Sequence, residues 1–456
     1  MGMKFRMSLS VFFLYFSILL VSIYFIPFED VRLNYDLTNL QVQQYYQGRD
    51  MASFASGGQA ILDHGWFTDH ATWLINLWPP GFMLLQGVIL KIFGLNAPFI
   101  FILTIINCIL WGVVFALMFA GLRERLPFLI SLILPCLFLA SSLFRNFILK
   151  DGILLGETFS VAFSFLGIAL ILKKISDKYI QFIGAGACFA LSAYFRSQYE
   201  VFFTISTAII LPLLLIQVVK DCLSRKGLSL KHEQYFIFKG LIVTVISFHF
   251  FTMPFRIYNY TRMGSMSWVQ SLELTWNNSW AYDDDLNKLN GIFIVRGGGT
   301  TACHIQHDLC EQFHNQRVTG KNIDVKILRN ATIRTFLEHP FLWMKIKFSK
   351  LTSYWFESDF RNTENLLYLI LILFSVGMIM LIHNKHEQTV WVWSGLSFLL
   401  AHVLIFVFVH FEERYLFFFK LYALFSSIML LSSTFKIKAD LSRELRYRQR
   451  KTRYQI

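Results

Sequence analysis

Long apolar runs separated by short polar segments dominate this chain. They fall at about 8 to 26, 97 to 121, 127 to 145, 155 to 172, 180 to 197, 201 to 219, 238 to 255, 364 to 383, 389 to 409 and 415 to 434. Each approaches the roughly 20 residues an α-helix needs to cross a hydrocarbon layer, where every backbone N–H must find its partner inside its own segment. The pattern predicts about ten membrane-spanning helices. A further apolar stretch, Gly81 to Gly94, is short and follows Pro79 and Pro80, which predicts a re-entrant or interfacial helix. The first run continues to Ile26 without a small-residue cleavage site, so it reads as a retained span and not a removable signal. No repeat at a fixed period and no low-complexity tract is visible, which argues against a solenoid or propeller.

Composition points to a membrane protein and away from a water-soluble fold. Of the 456 residues, 55% are hydrophobic and 16% charged, and the mean hydropathy is +0.50, whereas soluble domains carry roughly 25% charged residues. A formal charge of +13 raises the question of nucleic acid, but the basic residues lie beside apolar runs and in the tail, at Lys436, Lys438, Arg443, Arg446, Arg448, Arg450, Lys451 and Arg453. That placement orients a membrane protein and contacts anionic lipid; no nucleic-acid partner is expected. With the N-terminus inside, about ten spans bring Arg123, Arg125, Lys173, Lys174, Lys178, Lys220, Arg225, Lys226, Lys231, Lys239 and the tail to the cytoplasm. Counting Gly81 to Gly94 as a full crossing spoils this arrangement.

The polar regions 27 to 78 and about 256 to 362 then face outward. The chain divides into an N-terminal transmembrane module, 1–255, with a first extracytoplasmic loop, 27–96; an extracytoplasmic region, 256–363; C-terminal transmembrane helices, 364–435; and a basic cytoplasmic tail, 436–456. The fold class is an all-α integral membrane protein.

Four cysteines, Cys108, Cys136, Cys188 and Cys222, lie in or beside apolar runs and read as small buried thiols. Cys303 and Cys310 share an outward loop, where a local disulfide is the favoured reading. His304, His307 and His314 crowd the same segment, but the spacing matches no familiar zinc pattern. Asp283, Asp284 and Asp285 read as a solvated turn before they read as a calcium site. The aromatic load, 49 Phe and 11 Trp, reads as lipid-facing surface and interfacial belt, and Trp66, Trp73 and Trp78 in the first loop are open to either anchoring or a sugar platform.

Polar groups gathered at one face of so apolar a chain are expensive and therefore functional candidates. Along the outward face the sequence sets Gly48-Arg49-Asp50-Met51-Ala52-Ser53-Phe54, a helix through Ala60, Ile61 and Leu62, His64-Gly65-Trp66-Phe67, and then Trp78-Pro79-Pro80-Gly81-Phe82. Gly156-Glu157-Thr158-Phe159-Ser160 heads a span and Arg196 closes one. Met253-Pro254-Phe255-Arg256-Ile257-Tyr258-Asn259 is followed by Gly264, and later come His339-Pro340, an amphipathic segment ending at Trp355, and Glu413-Arg414-Tyr415.

In this order the motifs resemble the GT-C glycosyltransferases, and specifically the bacterial relatives of the protein O-mannosyltransferases and of the lipid A aminoarabinose transferases, glycosyltransferase family 39-like. The resemblance runs from about Asp50 to Tyr415. Phe255 stands where the family's Pro-Trp-x-x-Arg-Asn stretch has Trp, and the first loop lacks the Asp-Glu pair that some members carry.

The resemblance implies a GT-C-like bundle with outward juxtamembrane helices in the first loop and a larger late loop. It implies a transferase that moves a monosaccharide from a polyprenyl-phosphate carrier to a lipid-linked glycan, lipopolysaccharide or protein, with inversion, on the periplasmic side of a bacterial inner membrane. A carboxylate suits the removal of the acceptor's proton, and Asp50 is the expected general base. Arg196, Arg256 and Arg414 are candidates for the donor phosphate, which guanidinium grips in a two-pronged way. Glu157 is the second acidic residue, expected to bind the acceptor, orient its neighbours or help hold an ion. Trp78, Pro79, Pro80, Asn259, His339 and Tyr415 are expected to line the pocket. The residues establish no cofactor; a magnesium or manganese ion would have Asp50 and Glu157 as protein ligands, and metal dependence stays open.

Competing classes are a flippase for lipid-linked sugars, whose paired halves and midplane charges are not visible here, and a polysaccharide polymerase or ligase centred on Arg256 and His339.

Overall fold

The computed structural model describes residues 2–25, 34–47, 50–65, 79–172, 179–223, 232–263, 308, 325–345, 348, 362–381, 385–408 and 418–432. Apolar periodic runs have become helices throughout, and no strand occurs among the described residues. The protein is all-α.

The first run forms α1, Gly2–Phe25. Three short helices follow: α2, Asn39–Tyr45, opened by a capping box in which Thr38 and Gln41 serve each other's backbone N–H; α3, Asp50–His64; and α4, Gly81–Phe93. Thirteen residues make α4 about 20 Å long, short of the roughly 30 Å hydrocarbon layer. It packs along α3 and leaves Val88, Ile92 and Phe93 exposed.

Next come α5, Phe99–Arg123, and α6, Phe128–Ile133. The run at about 127 to 145 is not the single regular span that its hydrophobicity predicts. It passes from α6 into a 3₁₀ turn, Leu134–Ala140, then a π turn, Phe144–Ile148, and a 3₁₀ turn, Asp151–Ile153. Pro135 is a physical cause: it brings no N–H, and its ring collides with the carbonyl four residues back in a regular helix. Arg145 donates from Nη1 to the carbonyls of Leu139 and Ala140 at 2.7 and 3.2 Å, serving the acceptors left at the end of the first 3₁₀ turn.

The remaining helices are α7, Glu157–Leu172; α8, Ile180–Phe195; α9, Gln198–Leu223; α10, His232–Met263; α11, Val325–Glu338; α12, Asn362–Leu381; α13, Lys385–Phe408; and α14, Phe418–Ser432. Among the described residues, two helical segments, Phe99–Arg123 and Lys239–Tyr258, are long and apolar enough to cross a membrane by length and composition; the other apolar stretches, such as Leu9–Phe25 and Asn365–Leu381, run 10–17 residues.

One core gathers on α5, where Trp111 meets Phe144 edge-on at 4.8 Å and also packs on Phe115, Phe138 and Phe165. A second core lies under α3 and α4, built on Phe54, Phe82, Phe159 and Phe195. Helices α7, α8 and α10 form the tightest group. Serines join α7 to α8, with Ser164 and Ser192 hydroxyls 2.8 Å apart and Ser192 donating to the Ser160 carbonyl at 2.7 Å. Ser247 of α10 donates to the Ile183 carbonyl of α8 at 3.0 Å. Small residues and interhelical hydroxyls of this kind hold apolar helices together when hydrophobic burial alone does not.

Candidate functional site

Charged side chains meet where α7 begins, α8 ends, α9 begins and α10 nears its end. Gly156 turns the chain into α7 with φ of +80°, a conformation L side chains resist, and a Cβ there would come within 3.0 Å of the Phe82 ring. Glu157 is thereby the first residue of α7, where the exposed backbone N–H groups of the helix start favour a carboxylate. Its neighbour is locked from below. Trp111 donates from Nε1 to the Thr158 hydroxyl at 3.0 Å, Thr158 donates to Asn107 Oδ1 at 2.6 Å, and Asn107 donates from Nδ2 to the Ile148 carbonyl at 3.0 Å. Ser160 adds a bond to the Glu157 carbonyl at 2.8 Å.

Arg196 caps α8 in an extended conformation, φ −149° and ψ 122°, which swings its side chain out of the helix and onto Glu157 in an ion pair. Its guanidinium carbon also lies 5.3 Å from the centre of the Phe54 ring, within the range of a cation–π contact. Four residues on, Glu200 in the first turn of α9 receives Arg256 Nη2 at 2.9 Å. Glu157, Arg196 and Glu200 are 5%, 7% and 4% exposed. Buried ions survive only when paired, so the alternating carboxylates and guanidiniums compensate one another. The flanking Nε of Arg196 and of Arg256 is enclosed and has no hydrogen-bond acceptor among the described residues.

Asp50 starts α3 and is partly buried. Phe54 is four residues along, so Asp50 sits one turn away on the same helix face as the ring beneath Arg196. The first turn of α4 is fixed against the end of α8: a Cβ on Gly81 would lie 2.6 Å from the Tyr194 carbonyl oxygen. Pro79 and Pro80 are buried at this junction.

The fold thus pairs Glu157 with Arg196 and Glu200 with Arg256, and sets Phe54 of the Asp50 helix against Arg196. Asn259 lies on α10 one turn beyond Phe255, with its side chain outside the described residues. His339 is exposed between α11 and the helical residues 340–345, and no described contact joins it to the cluster. Trp78, Arg414, Tyr415, Cys303 and Cys310 lie outside the described residues. Cys108 is buried, and Cys136 and Cys188 are partly so; all are free thiols.

Sequence reasoning missed Glu200. Its signal was a carboxylate four residues after Arg196, in a polar turn between two apolar runs. It also missed Lys420 of α14, 2% exposed, which donates to Asn365 of α12 at 2.7 Å.

Asp50 with Glu157 makes a poor cradle for a divalent cation. Arg196 already compensates Glu157, and its fixed positive charge would repel a second cation there. No group of three metal-ligating side chains occurs among the described residues. A cavity of about 390 Å³ lies elsewhere, between α12, α13 and α14, lined by Val376, Trp391, Leu396 and Tyr422 among others. No family model, no curated protein and no solved structure matches the chain, so its functional reading stands on the charged cluster and the order of its motifs.

Proposed function

We propose that the chain is a bundle of about ten transmembrane helices in a bacterial inner membrane, with cytoplasmic termini and the Glu157–Arg196 end facing the periplasm. There it transfers a monosaccharide from a polyprenyl-phosphate carrier to a lipid-linked glycan, lipopolysaccharide or protein. The observation that carries the reading is Arg196, which holds Glu157 while lying over Phe54, one helical turn from Asp50. This joins the first-loop motif to the acidic head of α7, residues far apart in the chain whose order resembles the GT-C enzymes.

In this mechanism Asp50 accepts the proton of the acceptor hydroxyl as the hydroxyl oxygen attacks the anomeric carbon. The bond from that carbon to the phosphate oxygen breaks, its electron pair passes to the polyprenyl phosphate, and the sugar inverts in one displacement. A guanidinium in a low-dielectric pocket stabilises the charge that develops on the leaving phosphate. Arg256 fits this task best, because its side chain keeps 20% exposure while Arg196 keeps 8%. Arg196 and Glu157 then act as the scaffold that fixes α3 beside α7. Arg414 and Tyr415, outside the described residues, are proposed for the same phosphate-binding and pocket-lining tasks.

Mass analysis of lipid-linked and surface glycans, with and without the chain, tests the reading. It expects loss of a single sugar and accumulation of its polyprenyl-phosphate donor when the chain is absent. Accumulation of complete lipid-linked glycans on the inner leaflet would instead identify a flippase.

A further inference from the structure

The two arginine–carboxylate pairs at the charged end differ in a way that separates their tasks. Glu157 and Arg196 are closed off, at 6% and 8% side-chain exposure, and the Phe54 ring covers the guanidinium. Glu200 is equally enclosed at 5%, but its partner Arg256 is 20% exposed. Glu200 Oε1 meets Arg256 Nη2 at 2.9 Å, while the adjacent Arg256 Nε is enclosed and lacks an acceptor among the described residues. An enclosed donor without an acceptor calls for an explanation, and guanidinium carries its donors as a fork suited to phosphate oxygens.

Resting on the proposed function, we infer that Glu200 is a positioning residue and counter-ion that sets how tightly Arg256 holds a phosphate ester. Glu200 offsets the charge of Arg256, so an arriving phosphate gains less attraction while Glu200 shares that guanidinium. This matters most after transfer. The sugar-linked donor is a phosphodiester with one negative charge, whereas the released polyprenyl monophosphate carries up to two and would be held harder by an uncompensated arginine. Glu200 weakens that grip and keeps Arg256 aimed, so the product departs. The Glu157–Arg196 pair, sealed on all described sides, has no such part.

The test is phosphate binding by the full chain in detergent, measured by titration with polyprenyl monophosphate and, separately, with inorganic phosphate, alongside the melting temperature of each variant. Arg256→Gln is expected to weaken binding at least about tenfold and Glu200→Gln to strengthen it about tenfold, the scale of one short-range charge. Glu157→Gln is expected to strengthen neither. Glu200→Asp, which retains the charge but draws it back, gives a smaller gain and serves if Glu200→Gln does not fold. A gain confined to one probe still places the anion at Arg256 and identifies whether the lipid tail contributes. Unchanged or weaker binding in a folded Glu200 variant, or an equal gain from Glu157→Gln, overturns the assignment. Sugar transfer is assayed independently: the expected binding pattern without transfer leaves this inference standing and removes the enzyme, while transfer with binding indifferent to positions 200 and 256 does the reverse.

Discussion

Arg196 at the end of α8 is paired with Glu157 at the start of α7, and both are buried. Each sits at the helix terminus whose dipole suits its charge, carboxylate at an N-terminus and guanidinium at a C-terminus. With Phe54 beneath the guanidinium, a single contact point ties α3, α7 and α8 together.

Removing half of that pair strands a buried charge. Glu157→Leu or Arg196→Met alone is expected to cost about 3–5 kcal/mol, while the two together cost much less. Denaturation of purified protein in detergent measures this as a double-mutant cycle. Additive single and double effects would mean the two side chains are not coupled.

Thr158→Val keeps the shape of the side chain but removes the hydroxyl between Trp111 and Asn107. Two buried polar groups lose a partner, which is expected to cost about 1–3 kcal/mol. Because Thr158 adjoins Glu157, sugar transfer should fall as well, even at temperatures where the variant is folded. Wild-type stability and transfer in this variant would show that the hydrogen-bonded relay does not position α7.

Much of this arrangement is readable in the sequence, for physical reasons. Apolar runs at about 97–121 and 238–255 announce α5 and α10 because a helix must hide its own backbone polarity in apolar surroundings. The proline pair and short length of Gly81 to Gly94 announce a helix that stops early. The break after Ile133 was not readable, since hydrophobicity is the same for α, 3₁₀ and π turns and Pro135 alone does not say which follows. Asp50, Glu157, Arg196 and Arg256 stood out through the order of the motifs that contain them, more than through hydropathy. Their pairing did not, and Glu200 escaped because a carboxylate near a helix start is usually solvated; only the approach of α10 shows it enclosed.

Gly156→Ala tests the turn that presents Glu157. The added methyl meets both a positive φ and the Phe82 ring at 3.0 Å, so a loss of more than about 1 kcal/mol is expected. A neutral or stabilising effect in thermal denaturation would show that the turn is not constrained as described.

Sidedness is open to single-cysteine labelling in a background without the native cysteines. Asp63→Cys, exposed at the end of α3, is expected to react with a membrane-impermeant maleimide in spheroplasts. Glu124→Cys, exposed beyond α5, should react only after permeabilisation. The opposite pattern would turn the charged end toward the cytoplasm and remove the periplasmic site.

The most direct measurement is sugar transfer by Asp50→Asn in inverted and right-side-out membrane vesicles supplied with polyprenyl-phosphate-linked sugars. General-base removal is expected to lower the rate by about 10²–10⁴-fold, with membrane insertion, melting temperature and donor binding unchanged. Undiminished transfer by this variant would contradict the assignment of Asp50 as the base.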